Sequence, residues 1–407
     1  MNNRKLLFSI FLIVFIDLLG FSIILPLLPY YAKEFNATDF QIGLLAASYA
    51  AAQLIGAPIL GRLSDRYGRR PVLLVSIAGN VVGYVLLALA QSLSMLFIAR
   101  MLAGITAANI SVAQAYISDI TDAKNRGRGL GLLGAAFGLG FIIGPALGGA
   151  LSTFGYATPS FVSAGLGAFN FLLVLLWLPE SLTTERRAEL LHQKRSPLSL
   201  ASLWEAMHRP LVGPLLYTRF FYGLAFSLFQ TIFALYALYR FGLAAQQTGF
   251  VLAYVGVLSV IMQGFVIGRL TERFNDSLLI LVATALMAGA LLGWALAPTI
   301  PVLLIVMAPI AMAGGVLNTV VNSAISKNVP PFEIGGMLGF SSSLESLTRV
   351  ISPSLGGLLL EWADGRFGKQ VGTAFPGVFG AILMSWLISY VWRRVYQPDR
   401  NLQKRGI

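Results

Sequence analysis

The chain has no cysteine in 407 residues. Disulfides and thiolate metal sites are therefore excluded, and the redox compartment stays open. Histidine is nearly absent as well: His192 and His208 both fall in one central polar stretch. Any proton chemistry inside an apolar segment must then run on carboxylates. Charge is scarce. Asp, Glu, Lys and Arg make up 11% of residues, against about a quarter in soluble domains. With a mean hydropathy of +0.76, the chain lacks the polar surface to cover a water-soluble globule. A phosphate-binding loop, a nucleophile with its base and a metal-ligand cluster are all missing, which argues against an ATP-driven pump or an enzyme. Alternating segments of about ten residues, the mark of a membrane β-barrel, are missing too.

What the sequence does have is runs of roughly 20 apolar residues, each long enough to cross about 30 Å of hydrocarbon as a helix. Spans are predicted at 6–32, 41–61, 72–91, 95–117, 129–152, 160–178, 211–238, 247–267, 277–297, 301–325, 335–360 and 373–392. The expected fold is an all-α polytopic membrane protein of twelve transmembrane helices. With the N-terminus inside, 22 of the 29 Lys and Arg fall in cytoplasmic segments. Lys33, Arg240, Arg366 and Lys369 are external, and Arg100, Arg219 and Arg349 lie within spans. This asymmetry predicts cytoplasmic N- and C-termini and explains the net charge of +12 without nucleic acid. The opening MNNRKLLFSIFLIVF looks like a signal peptide, but its apolar run continues to about residue 32 with no small-residue cleavage site, so it is read as span 1.

One long polar stretch, Pro179 to Pro210, divides the spans six and six. The predicted domains are an N-terminal bundle over 1–178, a cytoplasmic linker over 179–210 with an amphipathic helix at the lipid surface, and a C-terminal bundle over 211–407. The halves share a landmark: GRLSDRYG at the end of span 2 is echoed by GRLTERFN, residues 268–275, at the end of span 8. Such duplicated units build the substrate site of many secondary transporters at the bundle midplane.

Rare charges within spans are candidate functional groups, because an ionised carboxylate at mid-bilayer costs about 2.5–3.5 kcal/mol. Asp17 in span 1 is expected to face a cavity and take up a proton, or else to be permanently ion-paired. Arg100 in span 4 cannot lose its charge, so it either pairs, with Asp17 as candidate, or snorkels to the outer interface. Glu345 and Arg349 share a face of span 11. They form either a structural bridge or a second proton-linked or substrate-contacting group, and Arg219 in span 7 is equally open. Gln53, Asn109, Gln114, Gln230, Asn318 and Asn322 are candidate cavity polars. Topology accounts for the arginines of GRLSDRYGRR, residues 61–70, but not for Asp65. An acid there could meet a helix N-terminus, such as that of span 11 near Gly335, and an Arg that in turn meets Asp119.

Four stretches together resemble the major facilitator superfamily, specifically its twelve-span drug:proton antiporters and their tetracycline-efflux-like branch. IDLLGFSIILPLLP (16–29) resembles the first-span motif, and GRLSDRYGRRP (61–71) the loop between spans 2 and 3. RMLAGITAANISVAQAYISDITD (100–122) resembles the fourth-span motif, and GFIIGPALGG (140–149) the antiporter motif of span 5. The resemblance implies two six-helix bundles that alternate access. It implies proton coupling through Asp17 and Arg100, with Glu345 and Arg349 as further candidates, and a gating latch of Gly61, Asp65, Arg66, Gly68, Arg69 and Asp119. It also implies a helix-packing motif of Gly140, Gly144, Pro145, Gly148 and Gly149.

The sequence departs from the tetracycline pumps in AGNVVGYVLL (78–87), GVLSVIMQG (256–264) and TALMAGALLG (284–293), which lack the acids and the His that the family carries there. Tetracycline with its divalent cation is therefore not the expected substrate. The expected function is proton-coupled efflux of small amphipathic compounds; a symporter or facilitator of an endogenous metabolite is the alternative. The expected partners are a small-molecule substrate, protons and the lipid bilayer. No nucleic acid, cofactor or metal is called for, and the chain is expected to act as a monomer in the cell (inner) membrane.

Overall fold

The computed structural model describes residues 3–122, 125–183, 187, 200–330 and 333–404. Almost all of these residues are helical, and none of them forms a strand. The first half holds α1 (Asn3–Ile24), α2 (Leu28–Glu34), α3 (Asp39–Tyr67), α4 (Arg69–Ala88), α5 (Leu93–Thr106), α6 (Asn109–Ile120), α7 (Arg126–Leu151) and α8 (Ala157–Trp177). Span 1 is thus two helices. Pro26 disfavours helix at the residue before it, and Pro29 sits in the first turn of α2, where no backbone donor is lost.

In the central stretch α9 runs over Leu200–His208. Much of the predicted linker helix, with His192, lies outside the described residues. The second half holds α10 (Gly213–Phe241), α11 (Ala245–Ile261), α12 (Ile267–Arg273), α13 (Asp276–Leu296), α14 (Ile300–Lys327), α15 (Ile334–Phe367), α16 (Lys369–Gly372), α17 (Phe375–Val391) and α18 (Gln397–Lys404). Single π turns, Met262–Val266 and Trp392–Tyr396, join α11 to α12 and α17 to α18.

Among the described residues, eleven helices are long and apolar enough to cross a membrane. The predicted span 335–360 lies in α15, a 34-residue helix made less apolar by Ser341–Ser343, Ser346, Glu345 and Arg349. Large apolar side chains such as Ile55, Ile98, Leu176, Ile305 and Ile382 are exposed, as a lipid-facing surface requires.

The helix pairings repeat. In the first half α1 packs on α7, α4 on α8 and α4 on α5; in the second α10 packs on α15, α13 on α17 and α13 on α14. Residues group into two compact units. Unit 1 comprises Met1–Thr38, Leu44–Arg195 and Leu243–Gly256; unit 2 comprises Asp39–Gly43, Ser196–Gly242 and Val257–Ile407. The core of unit 1 gathers Ile13, Leu73, Ile77, Val112, Tyr116 and Val174. Unit 2 is centred on Trp294, fully buried, with the Phe229 ring edge-on at 5.0 Å and its carbonyl accepting from the Tyr236 hydroxyl at 2.6 Å.

The crossover segments are held by backbone contact and polar bonds. In unit 1 Gly249 lies directly on the Pro145 carbonyl, and the Tyr30 hydroxyl bonds the Thr248 hydroxyl at 2.6 Å. In unit 2 Gly357 lies on the Asp39 carbonyl, and the Phe40 amide donates to Glu361 at 3.1 Å. A side chain at either glycine would force these helices apart, so segment membership follows from where the chain lacks a Cβ.

Candidate functional site

Within unit 1, Asp17 Oδ1 accepts from Asn109 Nδ2 at 2.6 Å and from Asn80 Nδ2 at 3.2 Å. Both partners are neutral amides. Asn109 reaches Asp17 from a break in span 4, where Ala107 and Ala108 leave the helix between α5 and α6. Irregular backbone at membrane depth is tolerated only where its polar groups find other partners. Here the Ala108 amide donates to Ser76 Oγ at 3.0 Å, Ser76 Oγ donates to the Thr106 carbonyl, and Gln53 donates to the Ala107 carbonyl at 3.4 Å. Gln53, expected to line a cavity, is thus also a prop for the broken helix.

Arg100 does not pair with Asp17. Its guanidinium lies 4.1 Å over the Tyr49 ring and 5.9 Å from the Phe21 ring. The residue is 4% exposed, and its Nε has no hydrogen-bond partner. A cation–π seat of this kind contributes about 2 kcal/mol when dry, and burial rules out snorkelling. Gln114 is exposed on α6, near the end of span 4.

The glycine motif has two faces. Gly144 lies against Ser22 and Gly148 against the Ile23 carbonyl, and Ser22 Oγ donates to the Gly140 carbonyl at 2.8 Å. On the other side a Cβ added at Gly149 would come within 3.0 Å of Gln246 Cα, and one at Gly256 would meet the Phe141 carbonyl. Pro145 sits inside an unbroken α7. The motif therefore clamps α7 between α1 and α11.

Where α3 gives way to α4, Arg69 binds two acids. Its Nη1 donates to Asp65 Oδ1 at 2.6 Å and to Ser64 Oγ at 2.7 Å, and its Nε donates to Asp119 Oδ2 at 3.0 Å. The Arg69 side chain is only 5% exposed. Gly68 begins α4 with φ 108°, and a Cβ there would collide with Glu180. Glu180 accepts the Arg69 amide at 2.8 Å and the Arg70 amide at 3.1 Å, so a carboxylate sits on the positive end of α4. Ser181 Oγ donates to Asp119 Oδ2 at 3.1 Å, closing the ring. Arg66 stands outside it, exposed, 5.4 Å from the Tyr67 ring. The Gly61 carbonyl accepts from Ser64 Oγ at 2.7 Å.

Unit 2 holds three charges together at mid-span. Glu345 accepts from Arg349 at 2.7 Å with Oε1 and from Arg219 with Oε2. Arg219 is 4% exposed and its Nε has no partner; the Arg349 side chain is 58% exposed. Gln230 and Asn318 are exposed as well, and Asn322 accepts from Ser341 at 2.7 Å.

Residues 10–353 match the Major Facilitator Superfamily, and residues 219–406 match it again. The chain belongs to the major facilitator superfamily. It is 35% identical to a class H tetracycline resistance protein of Pasteurella multocida, covering 97% of this chain and 98% of that one. It is 28% identical to multidrug resistance protein 2 of Bacillus subtilis (strain 168), over 88% of this chain. Among solved structures, a bacterial homologue of the human lysosomal transporter Spinster superposes with a TM-score of 0.81 at 16% identity, over 96% of each chain. Within the superfamily the chain falls in the tetracycline-efflux-like branch.

This member of the superfamily also holds, in the same networks, residues that sequence reasoning passed over. Asn80 stands alone in AGNVVGYVLL, a stretch read for its missing acid, and its isolation among apolar neighbours was the available signal. Glu180 and Ser181 had none beyond their place just after α8, because their partners lie over 60 positions earlier. The Arg219–Glu345 pair spans 126 positions and has no local signature.

Proposed function

We propose that the chain is a proton-coupled efflux antiporter for small amphipathic compounds, of twelve spans, with both termini cytoplasmic, working as a monomer in the cell (inner) membrane. The observation that carries this reading is the contrast between its two membrane carboxylates. Glu345 is flanked by two guanidiniums, whereas Asp17 has amide partners only. An acid without a cation in a bilayer is relieved of its charge by a proton or by a cationic group. Asp17 is therefore assigned the coupling proton, and Glu345 keeps its charge through the cycle as an anchor for Arg219 and Arg349. Arg100, seated on Tyr49, supplies positive potential to the same unit without occupying Asp17 itself.

Asp65, Arg69 and Asp119 act as the latch, with Glu180 holding the N-terminus of α4 in register beneath them. The small-molecule substrate is one of the amphipathic compounds that an apolar cavity with few polar groups accepts. The absence of an acid or His in 256–264 and 284–293 argues against a metal-chelated cargo.

Proteoliposomes with an imposed pH gradient test the coupling. Asp17→Asn is expected to lower gradient-driven transport by more than tenfold while substrate exchange without a gradient persists. Full gradient-driven transport by Asp17→Asn, or undiminished wild-type transport after the gradient is collapsed, overturns the reading.

A further inference from the structure

A structural salt bridge between α10 and α15 needs one cation and one anion, yet two arginines converge on Glu345. Glu345 is the one carboxylate inside a predicted span of unit 2, so the cluster carries one uncompensated positive charge at mid-membrane. Arg219 is walled in, and its partnerless Nε is already a cost of about 1–3 kcal/mol. Arg349 is different. It lies near the middle of α15 with 58% of its side chain open, and only its Nη2 is held by Glu345.

A guanidinium open at that depth cannot face lipid without a cost of about 2.5–3.5 kcal/mol. It therefore faces water or a ligand. Ser342, one helical turn before Glu345 and two before Arg349 on the same side of α15, is exposed. Gln230 of α10 and Asn318 of α14 are exposed in mid-span too. Among the described residues, the open face is thus cationic, with neutral polar neighbours and no free acid.

We propose that this face of unit 2 binds the anionic group of an amphipathic substrate, a carboxylate or sulfonate on an aromatic body, with Arg349 meeting the anion through its unoccupied donors. Arg219 and Glu345 are positioning residues. Glu345 aims Arg349 from the preceding turn, and Arg219 fixes Glu345 from α10. The planar fork of Arg349 matches two oxyanion atoms, which is why an arginine serves here better than a lysine. The inference rests on the reading of the chain as an exporter of small amphipathic compounds, and it names the charge class of the cargo.

The test uses the purified full-length chain in detergent and three isosteric probes: 2-naphthoate, 2-naphthamide and 2-naphthylmethylammonium. Affinities come from calorimetry, with no pH gradient. 2-Naphthoate is expected to bind at least tenfold more tightly than the amide, and the ammonium least tightly. Arg349→Gln is expected to erase the preference for naphthoate and Arg349→Lys to keep part of it. Arg349 is exposed, so the melting temperature of Arg349→Gln should stay near that of the parent, which separates lost recognition from lost folding.

Equal affinity for naphthoate and naphthamide, no naphthoate binding at all, or an undiminished preference in Arg349→Gln overturns the proposal. Because binding is read without a gradient, loss of coupling in Asp17→Asn and loss of anion preference in Arg349→Gln are independent results.

Discussion

The two copies of the loop landmark start alike and end differently. GRLSDRYGRR leads into α4, and GRLTERFNDS leads into α13. In the first, the cation Arg69 at the start of α4 meets Asp119 at the end of α6. In the second the signs are reversed, with Asp276 at the start of α13 and Lys327 at the end of α14, 2.7 Å apart. In both copies an acid from the segment that follows the sixth span bonds the first turn of the later helix. Glu180 takes the Arg69 and Arg70 amides, and Asp399 accepts from Ser277 Oγ at 2.5 Å.

The architecture is therefore duplicated, but the environment is not. The Arg69 and Asp119 side chains are 5% and 12% exposed, whereas Lys327 is 62% exposed. Asp65 is bound by Arg69, whereas its counterpart Glu272 is exposed. The difference teaches that the same pairing can be a buried network in one copy and a solvated surface pair in the other. Only the buried one is shielded from solvent screening.

The sharpest break in this comparison is Arg69→Ala against Lys327→Ala. Removing Arg69 takes the cation away from Asp65 and Asp119 in a largely buried site, a loss of about 3–5 kcal/mol. Removing Lys327 breaks a screened pair worth about 0–1 kcal/mol. Thermal unfolding of the purified variants should show a large drop for the first and nearly none for the second; equal drops would erase the asymmetry.

Next in size are the caps. Glu180→Ala leaves two amides of α4 without an acceptor and should cost about 1–2 kcal/mol. Asp399→Ala removes the bond from the Ser277 hydroxyl, a side chain and not a backbone amide of α13, and should cost about 1 kcal/mol. The two unfolding temperatures should rank accordingly.

The smallest effect on stability, and the most informative on function, is Asp65→Asn against Glu272→Gln. An amide oxygen can still accept from Arg69, so the fold is expected to persist within about 1 kcal/mol. The transport cycle should slow severalfold while substrate affinity stays near that of the parent. Glu272→Gln should leave both unchanged. Outright loss of substrate binding in Asp65→Asn would sink the latch, and comparable slowing by Glu272→Gln would give the second copy an equal share in gating.

How much of this could be read from the chain follows from the range of each signal. Asp17, Asp65 and Arg69 stood out because a charge in or beside an apolar run is expensive wherever it sits. Gly144, Pro145, Gly148 and Gly149 stood out because small residues at helical spacing imply close backbone approach. Arg100 was found for the same reason as Asp17, but its partner was not, since the Tyr49 ring is one of many aromatics in the sequence and nothing local marks it. Span 4 reads as one apolar run, and its break at Ala107 and Ala108 depends on Ser76 and Gln53, side chains on two other helices.

By itself the sequence determined residence in a bilayer, the duplicated helical order, the concentration of basic residues in alternate loops and the short set of residues whose chemistry is costly in lipid. These are properties of composition and of short windows, and the bilayer enforces them one segment at a time. Only the tertiary structure decided which costly groups meet. A residue on a helix turns by about 100° relative to its neighbour, so whether Arg219 meets Glu345, or Arg100 meets Tyr49 rather than Asp17, depends on how helices distant in the chain rotate and pack.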